Sequence, residues 1–239
     1  MNHTGSFTAA SLKKFNNKCT HCSVRLIAFC GILDEQDIQH LDSISKNKSF
    51  TKGKNIFNQG DDVKYFYNIK SGSVKIYKLS EDGRKQIVGF LYPGDFLGMS
   101  DQDIYTYNAE TLENTQVCVF NKTVLENFFL KFPRVESKIL NIVNHELAVA
   151  QDQIFLLSKY SAKERVMQFF INISNQRQKL GWIGNPIRLS MSRSDISNYL
   201  GLTIETVSRV LAELKRSQTI RMMGTHDVFL NSQEKNPDI

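Results

Sequence analysis

Apolar positions along the chain change their spacing several times, and each change predicts a different element. Residues 31–48 carry apolar side chains at roughly helical spacing, and Asp34 is a plausible N-cap for that helix. From about 50 to 120, short runs of β-branched and aromatic residues alternate with evenly spaced glycines: Gly60, Gly72, Gly83 and Gly94. This pattern predicts an antiparallel β-barrel or roll. Within it, "SEDGRK" predicts a hairpin turn with Asp82 and Gly83 at positive φ, and "TLENTQVCVFN" predicts a further strand around Cys118.

A long helix is predicted next. A short helix over 121–132 ends at Pro133, and residues 133–160 then lack glycine and contain no further proline. Apolar residues recur there at steps of three and four, the spacing of a coiled-coil seam: Ile139, Val143, Leu147, Ala150, Ile154 and Leu157. The stripe could pack on its own roll, but its length and regularity favour a dimer interface.

The C-terminal third carries a helix-turn-helix pattern. Ser192 caps a first helix, Gly201 permits a tight turn, and Thr203 caps a second helix. The second helix turns four apolar residues inward: Val207, Val210, Leu211 and Leu214. The side chains suited to base edges lie on or near the other face: Glu205, Ser208 and Arg209. Lys215 and Arg216 can neutralise phosphates, and "TIRMMGTHDVFL" predicts a β-hairpin wing.

The charge distribution agrees with a nucleic-acid partner. The net charge is +6, and residues 159–221 hold eleven of the thirty Lys and Arg residues but only four of the twenty-four acids. Such asymmetry favours a polyanion-binding domain attached to a neutral one. No run approaches the ~20 apolar residues of a membrane span, and the first thirty residues lack a secretory core, so a cytoplasmic protein is expected. No phosphate loop, zinc-protease helix or nucleophile elbow indicates an enzyme.

Taken together, these elements resemble the CRP/FNR superfamily of bacterial transcription regulators. "DISNYLGLTIETVSRVL" is similar to the DNA-reading segment of the FNR branch, with its Glu-x-x-Ser-Arg at Glu205, Ser208 and Arg209. The resemblance implies an α+β chain with a cyclic-nucleotide-binding-like β-roll, a long dimerisation helix and a winged helix-turn-helix. The corresponding expected divisions are a cysteine-rich segment (1–30), the roll (31–132), the helix (133–160) and the DNA-binding domain (161–239).

The resemblance also implies partners. The protein would be a homodimer that reads double-stranded DNA at a palindrome of the TTGAT–N4–ATCAA type. The hairpin at Glu81–Arg84 resembles an activating loop that touches RNA polymerase in the family, although a plain exposed turn explains it equally well. Cyclic nucleotide is not expected, because Tyr107 and Asn108 stand where the cAMP-binding relatives have Arg-Ser. An anionic phosphate would lack its cation there.

Three of the four cysteines fall within twelve residues near the N-terminus: Cys19, Cys22 and Cys30. By resemblance to FNR-type sensors, these three and Cys118 are the expected ligands of an oxygen-labile [4Fe–4S] cluster. The spacing Cys-x2-Cys-x7-Cys is longer than in the best-known member, and Cys30 is the least secure ligand. The alternatives are tetrahedral zinc with His21 as a substitute ligand, a redox disulfide, or inert buried thiols.

The expected mechanism joins the cysteines to the helix. An intact cluster would order the N-terminal segment against the roll and the start of the long helix and so favour pairing of two chains. Oxygen or nitric oxide would remove the cluster, weaken the dimer and release DNA. Ala150 stands where the family tends to carry an acid that keeps the cluster-free form apart, which predicts a weaker switch.

Overall fold

The computed structural model describes residues 18–224 and 226–231. The first seventeen residues of the expected cysteine-rich segment and the end of the expected DNA-binding domain lie outside the described residues. Among those described, no helix is both long and apolar enough to cross a membrane.

Two four-stranded antiparallel sheets form the N-terminal roll. Its strands are β1 (Ser45–Phe50), β2 (Asn55–Phe57), β3 (Tyr65–Ser71), β4 (Val74–Leu79), β5 (Lys85–Leu91), β6 (Phe96–Leu97), β7 (Asn108–Thr111) and β8 (Thr115–Asn121). One sheet has the order β1-β8-β3-β6 and the other β2-β7-β4-β5. The predicted roll is therefore present, with β8 in the middle of the first sheet and β5 at an edge of the second.

The turns of the roll depend on glycines at positive φ. At Gly72, φ is +86°, and a Cβ would lie 2.7 Å from the Asn114 carbonyl oxygen, so no other residue fits without rearrangement. The Asp82–Gly83 prediction is half right, because only Gly83 has positive φ (+79°). Asp82 needs no such backbone, since its carboxylate accepts hydrogen bonds from the Ser80 hydroxyl and the Arg84 side chain.

The helix predicted over 31–48 is shorter than expected. It is α1 (Glu35–Ile44), and Asp34 caps it by accepting hydrogen bonds from the backbone N–H groups of Gln36 and Asp37. Residues 45–50 form β1 instead, because they pair along their whole length with β8, whose Cys118 lies opposite Asn47. Tertiary pairing therefore overrides the local helical spacing.

The remaining helices follow the predicted order. They are α2 (Lys122–Lys131), α3 (Pro133–Lys159), α4 (Ala162–Lys179), α5 (Arg193–Tyr199) and α6 (Ile204–Arg216). Pro133 is the first residue of α3, where its missing N–H costs nothing. The predicted wing is a hairpin of β10 (Ile220–Met223) and β11 (Asp227–Leu230), extended by β9 (Ile187–Arg188).

Apolar side chains form two cores. The first fills the roll and the space beneath the N-terminal segment, and Phe29, Ile69 and Leu125 are fully buried in it. The second lies in the C-terminal part and is built on α4, α5 and α6, but Leu112, Phe90 and Tyr92 of the roll region also pack against it. The two parts of the chain therefore share an apolar contact.

Candidate functional site

The second helix of the helix-turn-helix presents the predicted base-reading residues. Thr203 caps α6, its Oγ1 accepting a hydrogen bond of 3.1 Å from the Thr206 N–H. The four predicted inward residues are all buried. Since they fix one face of the helix in the core, Glu205 and Arg209 are left exposed and Ser208 half-buried. Ser192 caps the first helix, α5, as the sequence predicted, and Asp195 completes a reciprocal capping pair with it.

The positive charge around α6 is free to meet phosphates. Within 18–224 and 226–231, the side chains of Arg209, Lys215 and Arg216 form no ion pair, whereas Glu213 is engaged by Lys163 at 2.9 Å. Two further exposed arginines, Arg188 on β9 and Arg193 at the start of α5, belong to the same segment. Both belong to the basic block of residues 159–221, but no sequence motif marks them individually.

The N-terminal cysteine segment lies over the outer face of the sheet that contains β8. Phe29 anchors it, with ring centroids 5.1 Å from Phe96, 5.6 Å from Phe120 and 6.2 Å from Phe129. Ile27 packs on Gly94, where a Cβ would approach the Ile27 side chain to 2.9 Å. Gly94 is therefore a turn residue, and its missing side chain also leaves the space that Ile27 occupies.

Cys118 projects from the central strand β8 towards this segment. Asn47 of β1 and Asn68 of β3 are its direct neighbours across the sheet. The Cys118 thiol donates a weak hydrogen bond of 3.9 Å to Asn47 Oδ1, and the buried Oδ1 of Asn68 has no partner within the described part of the chain. Cys118 and Cys19 are both buried in the first core, and Cys30 packs against it.

The four thiols are near enough to influence one another. Burial is the main cause that raises the pKa of Cys19 above its usual value, followed by a hydrogen bond with Asp42 and by the neighbouring Cys118 and Cys30. Burial likewise raises the pKa of Cys30 to about 11 and that of Cys118 to about 12, and Cys22 adds to both shifts. Since the thiolate is the reactive form, these three buried thiols are poor nucleophiles near neutral pH.

The long helix α3 divides the predicted stripe into buried and exposed residues. Ile139 is only 9% exposed and packs in the core of its own roll, and Leu157 is half-buried against the second core. Between them, an apolar face remains on the surface: Val143, Leu147, Ala150 and Ile154. Leu140, one turn before Val143, is also exposed and extends this face. Leu140 lies outside the predicted stripe, because steps of three and four residues from Ile139 pass over it.

Two family models and several known regulators are similar to this chain. A family model described as "Cyclic nucleotide-binding domain" matches residues 47–132, and one described as "Bacterial regulatory proteins, crp family" matches residues 189–220. The chain is 36% identical to nitrogen fixation regulation protein FixK of Bradyrhizobium diazoefficiens, over 86% of each chain. It is 34% identical to the fumarate and nitrate reduction regulatory protein of Vibrio cholerae, over 90% of this chain and 88% of that one.

The chain belongs to the CRP/FNR superfamily. A solved structure of FixK2 from Bradyrhizobium japonicum superposes with a TM-score of 0.74 at 31% identity, covering 80% of this chain and 94% of that one. The predicted family and α+β fold class are confirmed. As a CRP/FNR member, the chain is a DNA-binding transcription regulator whose relatives carry the names of regulators and not of enzymes, which confirms the prediction of a non-enzymatic protein.

In this CRP/FNR regulator, Tyr107 and Asn108 are hydrogen bonded within the roll. The Tyr107 hydroxyl accepts a hydrogen bond of 3.0 Å from the Gly98 N–H. The buried Asn108 amide accepts from the Gln59 N–H and donates to the Tyr77 carbonyl. Neither side chain brings the positive charge that an anionic phosphate requires.

The cysteine site of this regulator contains four free thiols. Among the described residues, no three Cys, His, Asp or Glu side chains are placed so that they could hold a single metal ion. Nevertheless, all four thiols interact electrostatically. A [4Fe–4S] cluster is held by four cysteine thiolates. The donor set of four thiols fits such a cluster.

Proposed function

We propose that this protein is an oxygen-responsive transcription regulator that acts in the cytoplasm and binds a palindromic FNR-type DNA site as a homodimer. Its cofactor would be a [4Fe–4S] cluster. The observation that supports the proposal is the packing of Cys19, Cys30 and Cys118 in or against one core, next to the short helix Phe29–Ile32 that contacts α3.

DNA reading would fall to the exposed residues of α6. Arg209 can donate two hydrogen bonds to a guanine, Glu205 can accept from a cytosine, and Ser208 can do either. Thr203, Lys215 and Arg216 would contact phosphates and hold α6 in the major groove. Hydrogen bonds from its own N–H and from Thr203 lower the pKa of the Glu205 carboxyl. The carboxylate is therefore ionised and able to accept a hydrogen bond from a base.

Pairing of two chains would bury the exposed face of α3. Leu140, Val143, Leu147 and Ile154 form an exposed apolar stripe on the face of α3 that the described part of the chain does not cover. A second copy of the same helix supplies a matching stripe in a two-fold arrangement. Ile139 and Leu157 would then brace the two ends of α3 against the roll and the DNA-binding part instead of lying at the centre of the seam.

The cluster would be held by Cys19, Cys22, Cys30 and Cys118. When bound, it supplies an oxygen-labile cross-link between the N-terminal segment and β8. A coordinating thiol is deprotonated outright, which removes the cost of ionising these buried groups. Arg25 assists, since its charge lowers the pKa of Cys30 and its guanidinium holds the Leu33 carbonyl at 2.9 Å.

The segment is well placed to pass its state to the dimer helix. The short helix Phe29–Ile32 packs against α3, and Phe29 reaches Phe129 of α2. Without the thiol cross-link, this contact would depend on noncovalent packing of the segment, chiefly that of Phe29. Ala150 is exposed on α3 and provides no charge repulsion between two chains, so we expect the cluster-free dimer to persist more than in the usual FNR switch.

Two partner assignments complete the proposal. Cyclic nucleotide is not the ligand, because Tyr107 and Asn108 are uncharged and bonded within the roll. RNA polymerase is the expected partner of the exposed hairpin at Glu81–Arg84, which the resemblance places in an activating role.

Iron analysis under nitrogen tests the proposal. Anaerobically purified protein should contain iron and acid-labile sulfide at about four atoms each per chain, with a broad visible absorption that air removes. Its affinity for a labelled TTGAT–N4–ATCAA duplex should fall after exposure to air. Protein that lacks iron and binds this duplex equally well with and without air would rule out the cluster, while leaving DNA binding intact.

A cluster-free regulator controlled by zinc or thiol oxidation is the alternative. Zinc without sulfide in the same assay would establish the first form. Reversible loss of DNA binding on treatment with an oxidant, with no metal present, would establish the second. The raised pKa values of Cys19, Cys30 and Cys118 would slow oxidation at these three thiols, since protonated thiols react slowly.

A further inference from the structure

The first helix of the helix-turn-helix is attached to the edge of the roll. Strand β5 is an edge strand, so one side of its backbone has no neighbouring strand. The side-chain amide of Asn198, on α5, hydrogen bonds to this unpaired side of β5. Its Oδ1 accepts from the Ile87 N–H, and its Nδ2 donates to the Lys85 carbonyl at 2.8 Å. Gln86 returns a bond of 2.8 Å to the Asn198 carbonyl. One amide therefore satisfies backbone groups that the roll would otherwise expose.

A buried charge cluster joins the same two parts. Lys75 Nζ of β4 lies 2.9 Å from Asp195 Oδ1 of α5 and 3.1 Å from Glu110 Oε1 of β7. The side chains of Lys75, Asp195 and Glu110 are only 10%, 15% and 21% exposed. Glu110 also pairs with Lys85 at 3.4 Å, so removing the Lys75 charge would deprive mainly Asp195 of its cation in a poorly hydrated place, which favours separation of α5 from the roll.

Apolar and aromatic contacts surround these polar groups. The Phe90 ring of β5 lies 5.1 Å from Tyr199 and 6.0 Å from Phe169. Ser73 and Ser190 hydrogen bond through their hydroxyl groups at 2.7 Å. The contact is thus apolar in the middle with specific polar partners, as expected for a surface that fixes one relative orientation.

We propose that Lys75 and Asn198 are positioning residues for DNA reading: by docking α5 on β5, they fix α6 relative to the roll. The two helices pack against each other, so a constraint on α5 is passed to α6. In the dimer, the distance and angle between two recognition helices would then follow from the rolls and not from a flexible joint. This inference rests on the proposed dimeric DNA binding and adds a prediction about operator spacing.

The readout is selectivity for half-site spacing. Changing the spacer from four base pairs to three or five moves one half-site by ~3.4 Å and rotates it by about a tenth of a turn. A rigidly docked pair of recognition helices tolerates that change poorly, whereas undocked domains adjust to it. Binding constants are therefore measured for the N3, N4 and N5 duplexes under nitrogen.

Lys75→Met is the primary variant, because Met keeps the length of the side chain and removes its charge. Its control is Lys78→Met, an exposed lysine on the same strand. We expect Lys75→Met to lose roughly tenfold in affinity for the N4 duplex (about 1.4 kcal/mol) and its N4-to-N5 ratio to approach one. Lys75→Arg should restore most of the selectivity, and Lys78→Met should behave as wild type.

Asn198→Ala keeps the test decisive if Lys75→Met folds poorly. It removes the amide that covers β5 and leaves every charge in place, and it should also relax the spacing preference. Hydrogen exchange of the peptide spanning 85–91 reports docking without DNA and should speed up in both variants. Folded variants that retain wild-type spacing selectivity and slow exchange would overturn the inference. A wild type that binds none of the duplexes would contradict the proposed function, while faster exchange in the variants would still support docking.

Discussion

The DNA-reading end and the cysteine site are both candidate functional regions, but they are built in different ways. In the helix-turn-helix, caps, turn glycine and inward residues all act within a few positions of one another, from Ser192 to Leu214. The cysteine site joins a segment near residue 20 to a strand near residue 118, and it depends on the packing of Phe29 between them. A locally encoded site keeps its shape with few outside contacts, whereas a site assembled over a hundred residues can be taken apart by one event.

This difference suits the two proposed tasks. A DNA-reading surface must present the same side chains on every encounter, and the buried face of α6 ensures that it does. A sensor must change its conformation. A segment that three proposed thiol ligands and a few apolar contacts would hold can detach and do so. The docking of α5 on β5 would connect the rigid end to the part that responds.

The largest effect is expected at Cys118. Cys118→Ser removes the only proposed ligand outside the N-terminal segment, so iron content under nitrogen should fall to background and affinity for the palindrome to the level of air-treated protein. Gln116→Ala, an exposed site on the same strand, is the matched control. A Cys118→Ser protein with wild-type iron and sulfide would show that the two regions are not linked in this way.

The next effect is expected on α3. Leu147→Asp places a charge at the centre of the exposed stripe, where Leu147 is 56% exposed, and should weaken dimerisation by about 100-fold, or ~2.7 kcal/mol. Sedimentation at several protein concentrations measures it. Leu130→Asp on α2, where the leucine is 76% exposed, is the control and should leave the dimer unchanged. Equal behaviour of the two variants would exclude the stripe as the interface.

A smaller and more specific effect is expected on α6. Arg209→Ala should cost about 1–3 kcal/mol at the specific palindrome and reduce discrimination at one base pair of each half-site. Lys215→Ala should instead weaken binding to all sequences alike and lower the salt slope by about one per site. Titrations at several salt concentrations separate the two. If Arg209→Ala lost as much affinity for random DNA as for the palindrome, Arg209 would be a phosphate contact and not a base-reading residue.

The smallest effect is a pH dependence within the roll. Burial raises the pKa of Asp95 to about 7, Glu146 adds to the shift, and the Tyr92 N–H opposes it. Because the folded-state pKa lies above the unfolded value, ionisation destabilises the fold, and this cost disappears as pH falls from about 8 to 4. Asp95→Asn should therefore stabilise the protein by about 1 kcal/mol at pH 8 and by less at pH 5, measured by urea unfolding. A pH-independent difference would contradict the assignment.

Sequence alone predicted the roll, the long helix, the capped α5–α6 pair and the wing, because each rests on spacing or on turn chemistry within a short window. It was wrong about residues 45–48, where pairing with β8 replaced the predicted helix with strand. It included Ile139 and Leu157 in a dimer seam and omitted Leu140, since periodicity does not tell which face a folded neighbour already covers.

What the sequence determined by itself was the kind of protein: a β-roll, a seam-like helix and a DNA-reading helix pair with the residue types that meet bases and phosphates. Only the tertiary structure decided which side chains remain available. It brought Cys118 beneath the N-terminal segment, buried Ile139 in the roll, and set Lys75 between Glu110 and Asp195. The physical reason is that local conformation depends on near neighbours along the chain, whereas burial and charge pairing depend on surfaces that meet only after folding.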